Sequence, residues 1–217
     1  MTLQRLMSAS LVAATAIAGF ATGTAAADAG SMQRRPQACT IQGTNGDDII
    51  TGTPGDDVIC GMRGNDTIHA ENGNDIVYGG RGNDVIFGGK GEDRLYGNGN
   101  DDILTGDEGP DAIVGKRGND TLRGSTGADT LKGGGGNDFV RGGDQADAID
   151  GGKGDDDLAG SGDNDVMTGG AGADMIAGWA GDDTLHGTDA VEANDQLKGS
   201  GGTDTCDADA GDTVTGC

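Results

Sequence analysis

The chain has 217 residues, 33% of them hydrophobic and 3% aromatic, with 46 glycines and a formal net charge of −23. This is too lean in apolar side chains for an ordinary globular core of that length, and taken alone it fits a disordered chain. The charge excludes nucleic acid and anionic membrane surfaces as natural partners and favours multivalent cations.

At the N-terminus, Arg5 precedes an apolar run through Leu6, Leu11, Val12, Ile17 and Phe20, followed by small residues. This is the pattern of an export signal over residues 1–27. Ala25-Ala26-Ala27 or Ala27-Asp28-Ala29 would each suit signal peptidase, so cleavage falls after 27 or 29. No cysteine follows the run to accept a lipid, and no later stretch of roughly 20 apolar residues could span a bilayer. A secreted, extracellular product is expected, with residues 28–42, carrying Arg34, Arg35 and Pro36, as tether and cap.

From Gly43 to His186 the chain divides without a gap into sixteen blocks of nine, such as GGRGNDVIF at 79–87. Position 6 is aspartate in all sixteen, position 8 is Ile, Leu, Val or Met in all sixteen, and position 1 is glycine except at Ala70. A solvated random chain has no reason to repeat in this way, so the period sets the architecture. Glycines in the first half of each block suit tight turns. The last three residues form a short strand with its middle residue on one face and its neighbours on the other. Such strands need copies above and below to complete their ladders. Two blocks then make one turn of a flattened coil: an all-β parallel solenoid with 18 residues per turn and about eight turns.

In that coil the position 8 side chains fill a thin interior and the position 6 carboxylates stack along two edges. Asp48, Asp66, Asp84, Asp102, Asp120, Asp138, Asp156 and Asp174 line one edge. Asp57, Asp75, Asp93, Asp111, Asp129, Asp147, Asp165 and Asp183 line the other. Carboxylates stacked at strand spacing repel one another, and carbonyls in glycine turns need partners. A hard cation with six to eight oxygen ligands answers both needs, and calcium tolerates an irregular cage better than magnesium does. Each ion is expected between loops eighteen residues apart, held for instance by Asp84 and Asp102 with backbone oxygens. Sixteen aliphatic side chains are too small a core to order these repeats unaided, so the fold is expected to depend on calcium.

The blocks resemble the glycine- and aspartate-rich nonapeptide of the RTX, or haemolysin-type, calcium-binding repeats. The resemblance covers the repeat region in register. It implies a right-handed parallel β-roll with calcium between successive loops, the position 6 aspartates as side-chain ligands, and help from carbonyls of positions 1 to 5. Asn100, Gln145 and Asp163 replace glycine at position 4; Asn can imitate glycine there, while Gln145 and Asp163 are expected to weaken or distort their loops. Pro110 at position 5 requires that its missing N–H be unused.

On one outer wall, position 9 runs Cys60, Tyr78, Tyr96, Val114, Lys132, Asp150, Thr168, His186. Stacking of Tyr78 on Tyr96 and pairing of Lys132 with Asp150 are expected. The tyrosines also offer an alternative role, docking to a cell-surface or matrix ligand. Residues 187–217 form an irregular tail and cap. Three extra residues enter within 188–193, then the pattern resumes with Asp195 and Leu197 and again with Asp204, both further metal-ligand candidates, and Cys206 in the core slot. Asp207, Asp209 and Asp212 cluster at the end. Four cysteines allow three full pairings, of which proximity in a solenoid favours Cys39–Cys60 and Cys206–Cys217. No HExxH, P-loop or EF-hand spacing is present, and both histidines sit at outward position 9, so no catalytic residue is assigned and an enzyme is not expected.

Overall fold

The structure, a computed structural model, describes residues 38–187 and 195–217, which fall in one unit, Pro36–Cys217. The export signal expected over 1–27, the tether up to residue 37, and the inserted residues of the tail lie outside the described residues. Two ten-stranded parallel sheets face each other. The first joins Ile41–Gln42, Val58–Arg63, Ile76–Arg81, Arg94–Gly99, Ala112–Arg117, Thr130–Gly135, Ala148–Lys153, Val166–Ala171, Thr184–His186 and Thr205–Asp207. The second joins Ile49–Thr51, Thr67–His69, Val85–Lys90, Ile103–Glu108, Thr121–Thr126, Phe139–Asp144, Asp157–Gly162, Met175–Ala180, Gln196–Gly201 and Thr213–Thr215.

Successive strands alternate between the sheets, and each pairs with the strand one turn away: Tyr78 with Tyr96, Leu122 with Val140. The fold is thus the parallel β-roll, 18 residues per turn. Each ladder holds ten strands where the sixteen blocks supply eight, because Ile41–Gln42 and the tail strands extend the ends, giving about nine turns. In the tail the offset grows from 18 to 21, with Met175 opposite Gln196, so the three extra residues are absorbed without loss of register.

Most strands are also longer than the three residues expected. Thr121–Thr126 pairs through Thr121, Leu122 and Arg123, skips Gly124, and resumes at Ser125 and Thr126. Glycine has little intrinsic preference for strands, but these glycine-rich residues carry backbone donors and acceptors that find partners in the identical segment one turn away.

The core is one file of side chains per sheet. Every position 8 residue from Ile59 to Leu185 is at most 3% exposed, and Leu197 continues the file in the tail. Ile50, in the first turn, is the least covered at 7%. Cys206 packs against the same cluster. Both expected disulfides are present, Cys39–Cys60 and Cys206–Cys217, each closing an end of the roll.

Outside, Tyr78 and Tyr96 stack at 5.1 Å with Lys116 over the Tyr96 ring, and Lys132 pairs with Asp150. The tyrosines are half-buried against each other, so the wall is largely occupied with its own packing. Among the described residues no helix is long and apolar enough to cross a membrane.

Leu122 is fully buried between Leu104 and Val140, whereas Thr121 beside it faces outward. Leu122→Ala should lower unfolding stability in calcium by about 2–4 kcal/mol, and Thr121→Ala by less than about 0.5 kcal/mol, in denaturant titrations. Equal losses at the two positions would contradict a core of single files.

Candidate metal centres

From the third block to the sixteenth, each loop is shaped by two residues with left-handed backbone. In the loop at 80–84 these are Gly80 at φ 127° and Gly82 at φ 121°, positions 2 and 4 of the block. Position 4 was legible from its glycines; position 2 was not, since Met62, Lys116 and Trp179 hold it at φ 89°, 85° and 78°. Asn100, Gln145 and Asp163 keep the glycine-like conformation at position 4, at φ 77°, 76° and 67°. The expected distortion at Gln145 and Asp163 is therefore absent from their backbone. Their cost is local strain, while Asp147 and Asp165 in the same loops remain buried.

These turns bring the position 6 aspartate inward. Both edges form as expected from the sequence. On one, the Asp84 N–H donates to Asp102 Oδ1 and the Asp102 N–H to Asp120 Oδ1, each at 2.8 Å. On the other, the Asp93 N–H donates to Asp111 Oδ1 at 2.8 Å. Asp174 passes its N–H to Asp195 and Asp183 to Asp204, so the tail residues continue both edges. Asp195 in turn donates to Asp212 Oδ1. Asp212 is therefore the last member of its edge; its spacing of 17 from Asp195 rather than 18 hid it within an acidic cluster.

In most of these carboxylates one oxygen is held in this way and the other is not. Oδ2 is buried without a hydrogen-bond partner in Asp66, Asp75, Asp84, Asp93, Asp102, Asp111, Asp120, Asp129, Asp138, Asp147, Asp156 and Asp165, and again in Asp183 and Asp204. That oxygen lies against the position 1 glycine of its own block. A Cβ added at Gly79, Gly97 or Gly133 would come within 3.0 Å of Oδ2 of Asp84, Asp102 or Asp138. At Gly133 the same carbon would also meet the Gly151 carbonyl oxygen of the next turn. A side chain at these glycines would thus crowd oxygen atoms, and only Ala70, fully buried, stands at position 1 in place of glycine.

The first two loops differ. Neither Thr44 and Thr53 at position 2 nor Gly46 and Gly55 at position 4 takes a positive φ, in keeping with the resistance of a β-branched residue to that region. With this backbone the Thr44 N–H and hydroxyl reach Asp48 Oδ2 at 2.6 and 3.0 Å, and those of Thr53 reach Asp57 Oδ2 at 2.7 and 2.8 Å. Both carboxylates of the first turn are satisfied by the protein itself.

A second ladder, outside the first, was also missed. Position 5 side chains accept from the position 5 N–H one turn later: Asn83 N–H to Asn65 Oδ1, Asn137 N–H to Asn119 Oδ1, Asp182 N–H to Asn164 Oδ1. It runs opposite to the position 6 ladder. Pro110, Ala128 and Ala146 are consecutive on one edge and have no side-chain acceptor to contribute. Pro110 sits above Glu92, outside the Asn/Asp series.

Burial pushes the carboxyls up, and like-charged neighbours one turn away add to it. Asp102 is raised to about 8, with Asp120, Asp84 and Asp101 contributing. Asp111, Asp147, Asp156 and Asp165 are raised to about 7, and Asp75, Asp84, Asp120 and Asp138 to about 6. Asp57 moves the other way: burial pushes it up, but hydrogen bonds from Thr53 and Thr40 outweigh this and lower it.

A file of buried anions, each with a spare oxygen, is suited to cations. Among the described residues no three Asp, Glu, His or Cys side chains converge on one point. A cation here would draw the rest of its shell from backbone carbonyls or water, a donor set of oxygens only that fits a hard ion such as calcium better than zinc.

The sequence matches the family described as RTX calcium-binding nonapeptide repeat (4 copies) at residues 40–68, 61–86, 78–113, 105–140, 114–149, 123–158, 159–189 and 192–214. No curated protein matches the chain.

The raised carboxyls determine how the metal-free roll responds to pH. Between the ordinary value of 3.8 and about 8 the folded state binds more protons than the unfolded one, so stability is present at acid pH and lost as pH rises. In calcium-depleted buffer, far-UV circular dichroism should show more β-structure near about pH 5 than near about pH 8, and apparent calcium affinity should rise over the same interval. A metal-free spectrum that gains β-structure on going alkaline would contradict the assignment.

Proposed function

The chain belongs to the family of RTX calcium-binding nonapeptide repeat proteins, and we propose that it is a secreted calcium-binding protein whose roll forms when calcium is bound. RTX repeats bind calcium, and their β-roll is a structural rather than a typically enzymatic fold. The two disulfides point to an oxidising compartment. Secretion further rests on the sequence of residues 1–27, with 28–42 as tether, 43–186 as the repeat array and 187–217 as the cap.

The observation that carries the proposal is the buried, unpartnered Oδ2 repeated from turn to turn. A buried charge without a partner is costly, and stacking such charges at strand spacing makes each loop oppose its neighbours. Bound calcium supplies positive charge and accepts six to eight oxygen ligands. The residues proposed to hold it are the position 6 aspartates from Asp66 to Asp183 with Asp195 and Asp204, joined by loop carbonyls; Asp212, at the end of its edge, has both oxygens engaged by the N–H groups of Asp195 and Asp209. Asp48 and Asp57 stand apart because threonines already occupy their second oxygen. The chain's own part is to position the carboxylates: glycine at position 1 leaves them room, and the N–H of the preceding aspartate fixes Oδ1.

This division predicts opposite signs for two isosteric changes. Asp120→Asn removes a buried charge whose second oxygen is unpaired, so it should raise the midpoint of thermal unfolding without calcium and lower it with calcium. Asp57→Asn removes the acceptor of Thr53 and should lower both midpoints, by about 1–2 kcal/mol of stability. Calcium titration followed by calorimetry should show weaker binding for Asp120→Asn and little change for Asp57→Asn. Loss of stability by Asp120→Asn in both conditions would exclude a metal role for that carboxylate.

A further inference from the structure

We propose that the outer face of the second sheet carries a binding groove for an aromatic carboxylate of one or two fused rings. Across four successive strands, Arg141, Ala159, Ala177 and Lys198 stand in line. The two alanines leave a trough of about 340 Å³, within the size range of small-molecule sites. Phe139 and Met175 form one wall and Trp179 the other. Met175 is 48% and Trp179 52% exposed, although solvent normally favours polar side chains on the outer face of a roll.

The ends of the trough are cationic. The Arg141 guanidinium lies 5.9 Å from the Phe139 ring centre and the Lys198 ammonium 5.4 Å from that of Trp179. Neither has a carboxylate within ion-pair distance among the described residues, in a chain where acids outnumber bases 37 to 14. Asp157 lines the trough as well and sits in the row of Phe139 and Met175. It opposes an anion on that side and directs the carboxylate toward the line of Arg141 and Lys198. An aromatic ring fits between indole, phenyl and thioether, and its carboxylate meets a cation held over an aromatic face.

Trp179 is a lone ring in its row, where its sheet neighbours are Ser161 and Ser200.

Calorimetry on the full chain in saturating calcium tests the groove, with 2-naphthoate as ligand and 2-naphthalenemethanol as the neutral probe with the same rings. The carboxylate should bind at least about tenfold more tightly than the alcohol, a difference of about 1.4 kcal/mol. Ala177→Leu, which fills the trough, should abolish binding of both; calcium-induced circular dichroism reports whether it folds. Arg141→Gln, an outward change, should bring the carboxylate close to the alcohol and serves as the second variant. Trp179 is the only tryptophan, so its emission should change on binding. Equal affinity for the two probes, no binding of either, or unchanged binding after Ala177→Leu in a folded protein or after Arg141→Gln would overturn the proposal.

Discussion

A buried carboxylate oxygen with nothing to bond to, repeated from turn to turn, is the constraint on which this structure turns. The strands pair turn upon turn in two parallel ladders, and the position 8 core is closed along the repeats. What the fold lacks is a partner for Oδ2 in residues such as Asp84, Asp102 and Asp120. Because Oδ1 of each carboxylate is held by the previous turn, an aspartate cannot swing its charge to solvent without breaking the stack. The charge must be neutralised in place, by a proton or by a cation.

The first turn shows the same geometry without that need. Threonine at position 2 keeps an ordinary backbone and supplies two donors to the second oxygen of Asp48 and Asp57. From the third block onward the left-handed residue at position 2 removes that solution, and the oxygen is left for an ion. The Cys39–Cys60 bridge closes this end. The roll therefore begins with a turn that the protein completes by itself and continues with turns that it does not. Parallel strands with high sequence separation are slow to pair, so a pre-closed end gives later turns a template on which to stack.

Much of this was legible in the sequence. Asp84 or Leu122 could be assigned to edge or core because a strict period of nine leaves no freedom of face, and the same stacking brought Cys39 to Cys60 and Tyr78 to Tyr96. What escaped were features that depend on loop conformation. The role of Thr53 requires knowing that its φ stays negative while Met62 crosses to 89°. The outer ladder through Asn65 and Asn119 requires knowing that position 5 amides point down the stack. Six-residue strands were obscured by glycine's low strand preference, and Asp212 by a tail that returns one residue early. Gln145 and Asp163 show that neighbouring turns can impose a left-handed backbone that the residue itself disfavours.

Residue-resolved hydrogen exchange of the disulfide-intact chain, with calcium and then with chelator near neutral pH, tests the central claim most directly. The amides of Asp102, Asp111 and Asp120, which donate to the carboxylates of the next turn, should be protected in calcium and exchange freely in chelator. Protection of those amides that is unchanged by chelator would show that the buried oxygens need no cation, and the account would fail.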